Sequence, residues 1–248
     1  MRNIIKQTYQ ILRRADEAVL DFIYPPRCPI CDRAVLPETV ICPECRKKIT
    51  NITEPACMKC GKPIADPRKE YCRDCARKEH HFVQGKALWV YEKEVKASIY
   101  RFKYQNKREY ARRYAAELVK EHGAWIKGRQ VAAILPIPLH KNRKKKRGYH
   151  QAGLLAEETG KLLGIPVYTN VLVRIRDTRP QKTLNDTERK NNLKKAFKTT
   201  ENVVQLKSVL LIDDIYTTGS TLDAAASVLL EAGVSQVYTC CISIGRDS

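Results

Sequence analysis

Hydrophobic residues in this chain gather into short unbroken runs. Val209 to Ile212 leads straight into Asp213 and Asp214, Val131 to Leu139 reads VAAILPIPL, ALWVY lies within Lys86 to Glu92, and Val237 to Ile244 is a further apolar run. Runs of this length, bounded by polar residues, predict strands buried on both faces, as in a parallel sheet covered by helices. The VAAILPIPL strand is expected to break at Pro136 and Pro138. Helical patterns fill the spaces, over Val95 to His122 and over Leu222 to Ala232. Met1 to Phe22 reads as an amphipathic helix, with Ile4, Ile5, Tyr9, Leu12, Ala15, Val19 and Phe22 broadly on one side. The predicted class is α/β.

The segment VLLIDDIYTTGST, Val209 to Thr221, carries the densest chemistry. Asp213 and Asp214 are expected at the carboxyl end of their strand, where open α/β sheets bind ligands. Thr217, Thr218, Gly219, Ser220 and Thr221 then lead into a helix, whose N-terminal N–H groups and adjacent hydroxyls favour a phosphate. Helix capping accounts for one hydroxyl, not three threonines and a serine behind paired carboxylates. The segment resembles the phosphoribosyl pyrophosphate (PRPP) signature of type I phosphoribosyltransferases. That resemblance implies that Asp213 and Asp214 hold the ribose hydroxyls, directly or through Mg2+, and that Thr217 to Thr221 cradle the 5′-phosphate.

Eight of the ten cysteines form four CxxC pairs: Cys28/Cys31, Cys42/Cys45, Cys57/Cys60 and Cys72/Cys75. A two-residue gap lets both thiolates reach one ion, and two pairs complete a tetrahedral site. A repeated series argues against a redox motif, and the lack of an export signal disfavours disulfides. Two structural Zn2+ ions are expected. Sequential pairing is the simplest; an interleaved one uses the same ligands and stays open. His80 and His81 read as linker residues after the last pair, and Cys240 and Cys241 as part of a buried strand.

Composition sharpens the choice of partners. With 46 Lys and Arg against 27 Asp and Glu, the formal net charge is +19, which favours nucleic acid, phosphorylated ligands or an anionic surface. The densest run comprises Lys141, Arg143, Lys144, Lys145, Lys146 and Arg147. It follows a core strand, so it is expected at the sheet's functional edge, contacting phosphate or nucleic acid. Tyr100, Phe102, Tyr104, Tyr110 and Tyr114 are interleaved with Arg101, Lys103, Lys107, Arg108, Arg112 and Arg113. Two readings stand level: aromatic faces that stack bases among cations, and half-buried helix residues with solvated neighbours. No apolar stretch reaches membrane-span length and no signal peptide opens the chain, so the protein is expected in the cytoplasm. Lys6, Arg13 and Arg14 leave association with the inner face of the membrane open.

Three motifs now occur in one order: the cysteine-rich region, PIPLH (Pro136 to His140) followed by RGYHQA (Arg147 to Ala152), and RPQKTL (Arg179 to Leu184) ahead of the PRPP-like loop. Together they resemble the ComF family, competence-associated proteins with an amidophosphoribosyltransferase-like domain. The family's central motif more usually reads RGFNQ; here Tyr149 and His150 replace Phe and Asn, and His150 puts any amide-specific contact in doubt. The resemblance implies a type I phosphoribosyltransferase-like parallel sheet, and a part in passing transforming single-stranded DNA into the cytoplasm beside a helicase partner. It also implies that the polar stretch Arg174 to Phe197 closes over the sugar as a flexible loop. The division expected is an N-terminal helix over 1–24, a tandem CxxC zinc module over 25–80, and the phosphoribosyltransferase-like domain over 81–248.

The residues speak against a glutamine amidotransferase, because Met1 is followed by Arg2 rather than a nucleophilic cysteine. No obvious hood segment is present to grip a nucleobase. The leading expectation is a module binding PRPP or a related phosphosugar and single-stranded DNA. An active phosphoribosyltransferase with an unidentified acceptor is the second, and a PRPP-sensing duplex-DNA regulator the third.

Overall fold

A computed structural model describes residues 25–175, 196–200 and 205–247. The expected N-terminal helix, the RPQKTL motif and most of the loop between Arg174 and Phe197 lie outside the described residues. Four parallel strands form the main sheet: β1 (Gln84–Val90), β2 (Ala133–Pro136), β5 (Ser208–Tyr216) and β6 (Gln236–Ile244), in the order β1-β6-β5-β2. The four apolar runs of the sequence supply these four strands. A short antiparallel pair, β3 (Leu172–Arg174) with β4 (Phe197–Thr199), stands apart from the sheet. Among the described residues, no helix is long and apolar enough to cross a membrane.

Side chains alternate across a strand, and here that alternation separates two cores. On one face Leu88, Leu210, Ile212, Tyr238 and Cys240 meet helices α3 (Lys93–Tyr104), α4 (Tyr110–Gly128) and α6 (Gln151–Leu163). On the other, Ala87, Val209, Leu211, Val237 and Cys241 meet β3, β4 and helix α7 (Ser220–Glu231). The connection from β2 to β5 thus carries α6 on one face and the β3–β4 pair on the other, and the connection from β5 to β6 carries α7 on that second face. The winding changes face between β2 and β5, and the carboxyl ends of these two strands are the place such sheets use for ligands.

The cysteine region is built onto both cores. Short helices α1 (Pro43–Arg46) and α2 (Arg73–Arg77) each follow the first cysteine of a pair. Cys28, Ile30, Ile41 and Cys45 share the core of Trp89 and Phe102, while Cys57, Cys60, Ile64 and Cys72 share the core of Phe82 and Leu222. Arg46, beside Cys45, joins the cysteine region to α4 by a two-pronged bond to Glu117, at 2.6 and 2.7 Å. Beside Cys60, Gly61, at φ +76°, lies so near β1 that a Cβ there would sit 2.9 Å from the Gly85 carbonyl.

One helix expected from the sequence is two. The pattern over Val95 to His122 breaks after Tyr104, where Asn106 turns to φ +53° and Arg108 Nε donates to its side-chain oxygen at 2.9 Å. Asn accepts this left-handed geometry with small penalty, and the polar run Gln105 to Glu109 offers nothing to bury. The break swings α4 back across the sheet. It also divides the aromatic residues: Phe102, Tyr110 and Tyr114 are fully buried, whereas Tyr100 and Tyr104 stay exposed.

Candidate functional site

Asp213 and Asp214 lie just beyond the last β2–β5 pair, Pro136 with Ile212, but still within the ladder to β6, where Asp213 faces Cys241. Being adjacent in a strand, they point to opposite faces. Asp214 turns toward α3 and pairs with Lys103 Nζ at 2.7 Å, both side chains largely buried. Asp213 accepts the Asp214 backbone N–H at 2.8 Å and feels the Arg174 guanidinium at the end of β3. Burial, and then the neighbouring Asp214 carboxylate, raise the Asp213 carboxyl from 3.8 to about 7. The site thus sets an acid paired with a lysine beside an acid whose carboxyl is raised. Lys103 is a member of the site that sequence patterning did not single out; its helical position makes it one cation among many until α3 is folded against β5.

The loop from Thr217 to Thr221 follows directly. Gly219 sits at φ +73°, and a Cβ there would collide with the hydroxyl of Tyr216, so only glycine fits. Gly219 is also the N-cap of α7, and no side chain makes a capping bond there. Thr217 and Thr218 are exposed, and Thr218 Oγ1 and Ser220 Oγ lie 2.9 Å apart. Hydroxyls and amides at the start of α7 are therefore not consumed by capping, as a phosphate cradle requires. Beneath the loop Tyr216 Oη is buried without a hydrogen-bond partner among the described residues.

The basic run forms helix α5 (Lys141–Arg147) after β2, so it starts from the same sheet edge as the loop after β5. The side chains of Lys141, Lys144 and Lys146 lie outside the described residues; Lys145 is exposed, and Arg143 is half-buried. Arg147 donates to Gln151 Oε1 at 3.1 Å and to Tyr104 Oη at 3.3 Å. The two departures from the family motif each have a use. Tyr149 is buried and its hydroxyl donates to the Phe102 carbonyl in the last turn of α3, a carbonyl that the helix itself leaves unpaired. His150 Nε2 donates to the Ile137 carbonyl at 2.8 Å, so the imidazole fixes the turn after β2.

The cysteines assemble as two sets, Cys28, Cys31, Cys42 and Cys45, and Cys57, Cys60, Cys72 and Cys75. The pairing is sequential rather than interleaved. Within each set all sulfurs lie within 4.8 Å of one another, with Cys31 to Cys42 at 3.8 Å and Cys60 to Cys72 at 3.6 Å. A tetrahedral ion with Zn–S near ~2.3 Å holds its sulfurs about 3.8 Å apart. The donor set fits two structural Zn2+ ions. A cation offsets each dianionic site: Arg33 Nε lies 3.5 Å from Cys31 Sγ, and Lys62 is buried beside the second set and paired with Asp74 at 2.6 Å. Metal analysis of the purified chain is expected to find two zinc ions per molecule, falling to one in Cys31→Ser; a single ion in the unaltered chain contradicts this assignment.

His80 and His81 are more than linker residues. The His81 N–H donates to Asp223 Oδ1 at 2.7 Å, its ring nitrogen lies 3.1 Å from the same oxygen, Lys78 Nζ binds Oδ2 at 2.7 Å, and His80 Nδ1 is 3.4 Å away. Burial opposes ionisation of Asp223, but these donors hold its carboxyl well below the usual range. Asp223 lies in the first turn of α7, so the segment after the second cysteine set is tied to the helix that follows the Thr217 to Thr221 loop. Nothing in the local sequence marks Asp223, because its partners lie more than a hundred residues away.

A sheet with its ligand edge at β5, an acidic pair and a hydroxyl loop define a protein of the phosphoribosyltransferase fold with zinc ribbons built onto it. Residues 121–247 match the phosphoribosyl transferase domain and residues 19–76 the double zinc ribbon domain. The chain is 31% identical over 202 residues to competence protein F of Haemophilus influenzae, covering 79% of this chain and 87% of that one. It is 32% identical over 203 residues to competence protein ComFC of Bacillus subtilis, covering 79% and 80%. DNA utilization protein YhgH of Salmonella typhimurium is 29% identical over 220 residues, covering 87% and 88%. The chain belongs to the ComF family.

Proposed function

We propose that the protein binds single-stranded DNA and a PRPP-like phosphosugar, and acts in the uptake or use of DNA by the cell. One observation carries this reading: an acidic pair, a hydroxyl loop not consumed by capping and a basic helix all leave the same edge of the sheet. The relatives' names, competence protein and DNA utilization protein, support the DNA side. Asp213 and Asp214 suit the ribose hydroxyls and a Mg2+ ion, which would neutralise the diphosphate; Thr217 to Thr221 suit the 5′-phosphate. The proposed setting is the cytoplasmic side of the inner membrane, with a helicase as partner.

Single-strand binding is expected to weaken steeply with salt, since each phosphate neutralised on single strands adds about 0.7 to the logarithmic slope. Converting Lys144, Lys145, Lys146 and Arg147 to Gln should lower that slope by roughly 3 and weaken binding at low salt. Duplex binding equal to or tighter than single-strand binding, unmoved by these changes, would sink the reading. A second reading, transfer of the phosphoribosyl group to an acceptor, is favoured by the raised carboxyl of Asp213 beside the Thr217 to Thr221 loop. It predicts release of diphosphate from PRPP with Mg2+, lost in the Asp213→Asn, Asp214→Asn double variant.

A further inference from the structure

Tyr100 and Tyr104 stand four residues apart on α3, the spacing that puts two side chains on one helix face. They are 57% and 49% exposed, while Phe102, Tyr110 and Tyr114 around them are buried to the last atom. Their rings lie 5.0 Å apart at 45°, and the guanidinium of Arg147 lies over Tyr104 at 5.2 Å with an N–H on its hydroxyl. Two aromatic rings and a guanidinium therefore form one surface that no other described part of the chain covers. Its surroundings are basic: Arg147 closes helix α5. Its place is fixed as well, because Lys103, the residue before Tyr104, reaches Asp214 at 2.7 Å.

We propose that Tyr100, Tyr104 and Arg147 form a stacking platform for the unpaired bases of single-stranded DNA, beside the phosphosugar site. The inference rests on the single-strand reading above and names where and how the bases are held. Charge decides the occupant. The guanidinium over Tyr104 and the run of basic residues in α5 favour an anionic occupant, and a single strand brings both π-faces for the tyrosines and phosphates for the cations. Paired bases present no free faces, so the platform selects single strands, and every base has a face, so it does so without sequence preference.

The test compares oligothymidine with an abasic phosphodiester of equal length, by anisotropy, on the full chain. Wild type is expected to bind the base-bearing strand about ten-fold more tightly. Tyr104→Leu should remove most of that preference, Tyr100→Leu part of it, and Tyr104→Phe little, because a phenyl ring still stacks. The unaltered melting temperature of these surface variants serves as the folding control. Salt-dependent binding that is equal for both strands and unmoved by Tyr104→Leu overturns the platform and leaves the single-strand reading standing. No binding to either strand overturns both. Tighter binding of oligouridine than of oligothymidine overturns DNA as the occupant.

Discussion

Cys72→Ser is expected to cost the protein one zinc ion and the order of its Thr217 to Thr221 loop together. Cys72 is wholly buried, in the core that also holds Phe82, Tyr216 and Leu222. Structural zinc contributes about 10–16 kcal/mol to the fold of a small ribbon, as much as the whole stability of an ordinary domain. With the second ribbon loosened, Lys78 and His81 leave Asp223, and a carboxylate buried without its partners costs about 3–5 kcal/mol. That cost falls on the first turn of α7, where the loop Thr217 to Thr221 is anchored. Zinc analysis, thermal melting and hydrogen exchange of the loop amides check this: one ion, a large fall in melting temperature and faster exchange at 217–221. Cys31→Ser is the matched control, since its ribbon packs on the opposite face of the sheet. It should also lose one ion, yet leave exchange at 217–221 close to wild type. Equal loop exchange in the two variants would refute the coupling.

The asymmetry bears on what each part of the sequence made visible. The strands could be read directly, because burial on both faces demands unbroken apolar runs and the chain has four. Cysteine spacing gave the metal sites for a similar reason, a short-range geometric demand that leaves a short-range mark. Gly219 and its hydroxyl neighbours were legible as a strand-to-helix turn because such a turn is local in the chain. Lys103, Asp223 and the Tyr100–Tyr104 pair were not, since each owes its role to a partner brought near by folding. The basic helix α5 was legible as charge, but its junction with Tyr104 through Arg147 was not. Val95 to His122 failed as a single helix because periodicity persists across a break; only Asn106 and the polar run around it carry the stop. The level contest between stacking and buried aromatics had no answer in the sequence, and the fold splits it, three residues to the core and two to the surface.

Asp213→Asn is expected to stabilise the unliganded protein at neutral and higher pH while abolishing its response to a phosphosugar. The Asp213 carboxyl is raised from 3.8 to about 7, by burial and then by Asp214. A carboxyl whose pKa is higher folded than unfolded favours the folded state when protonated. Its contribution is present below about pH 4 and is lost as pH climbs to about 7. Since each pKa unit is worth about 1.4 kcal/mol, the rise bounds the loss at about 4 kcal/mol. Asp213 keeps some contact with solvent, and about 1–3 kcal/mol is the reasonable expectation, a shift of roughly 3–10 °C for a chain of this size. Asparagine resembles the protonated acid at every pH, so the variant should melt with wild type near pH 4 and above it at pH 8. The ligand response should move the other way. PRPP with Mg2+ at about 100 times its Kd stabilises a single site by about 2.7 kcal/mol, a gain wild type should show and Asp213→Asn should lack. A variant that is less stable than wild type at pH 8 would mean that Asp213 is already satisfied by the fold. A variant that keeps the full ligand shift would mean that the phosphosugar is held elsewhere.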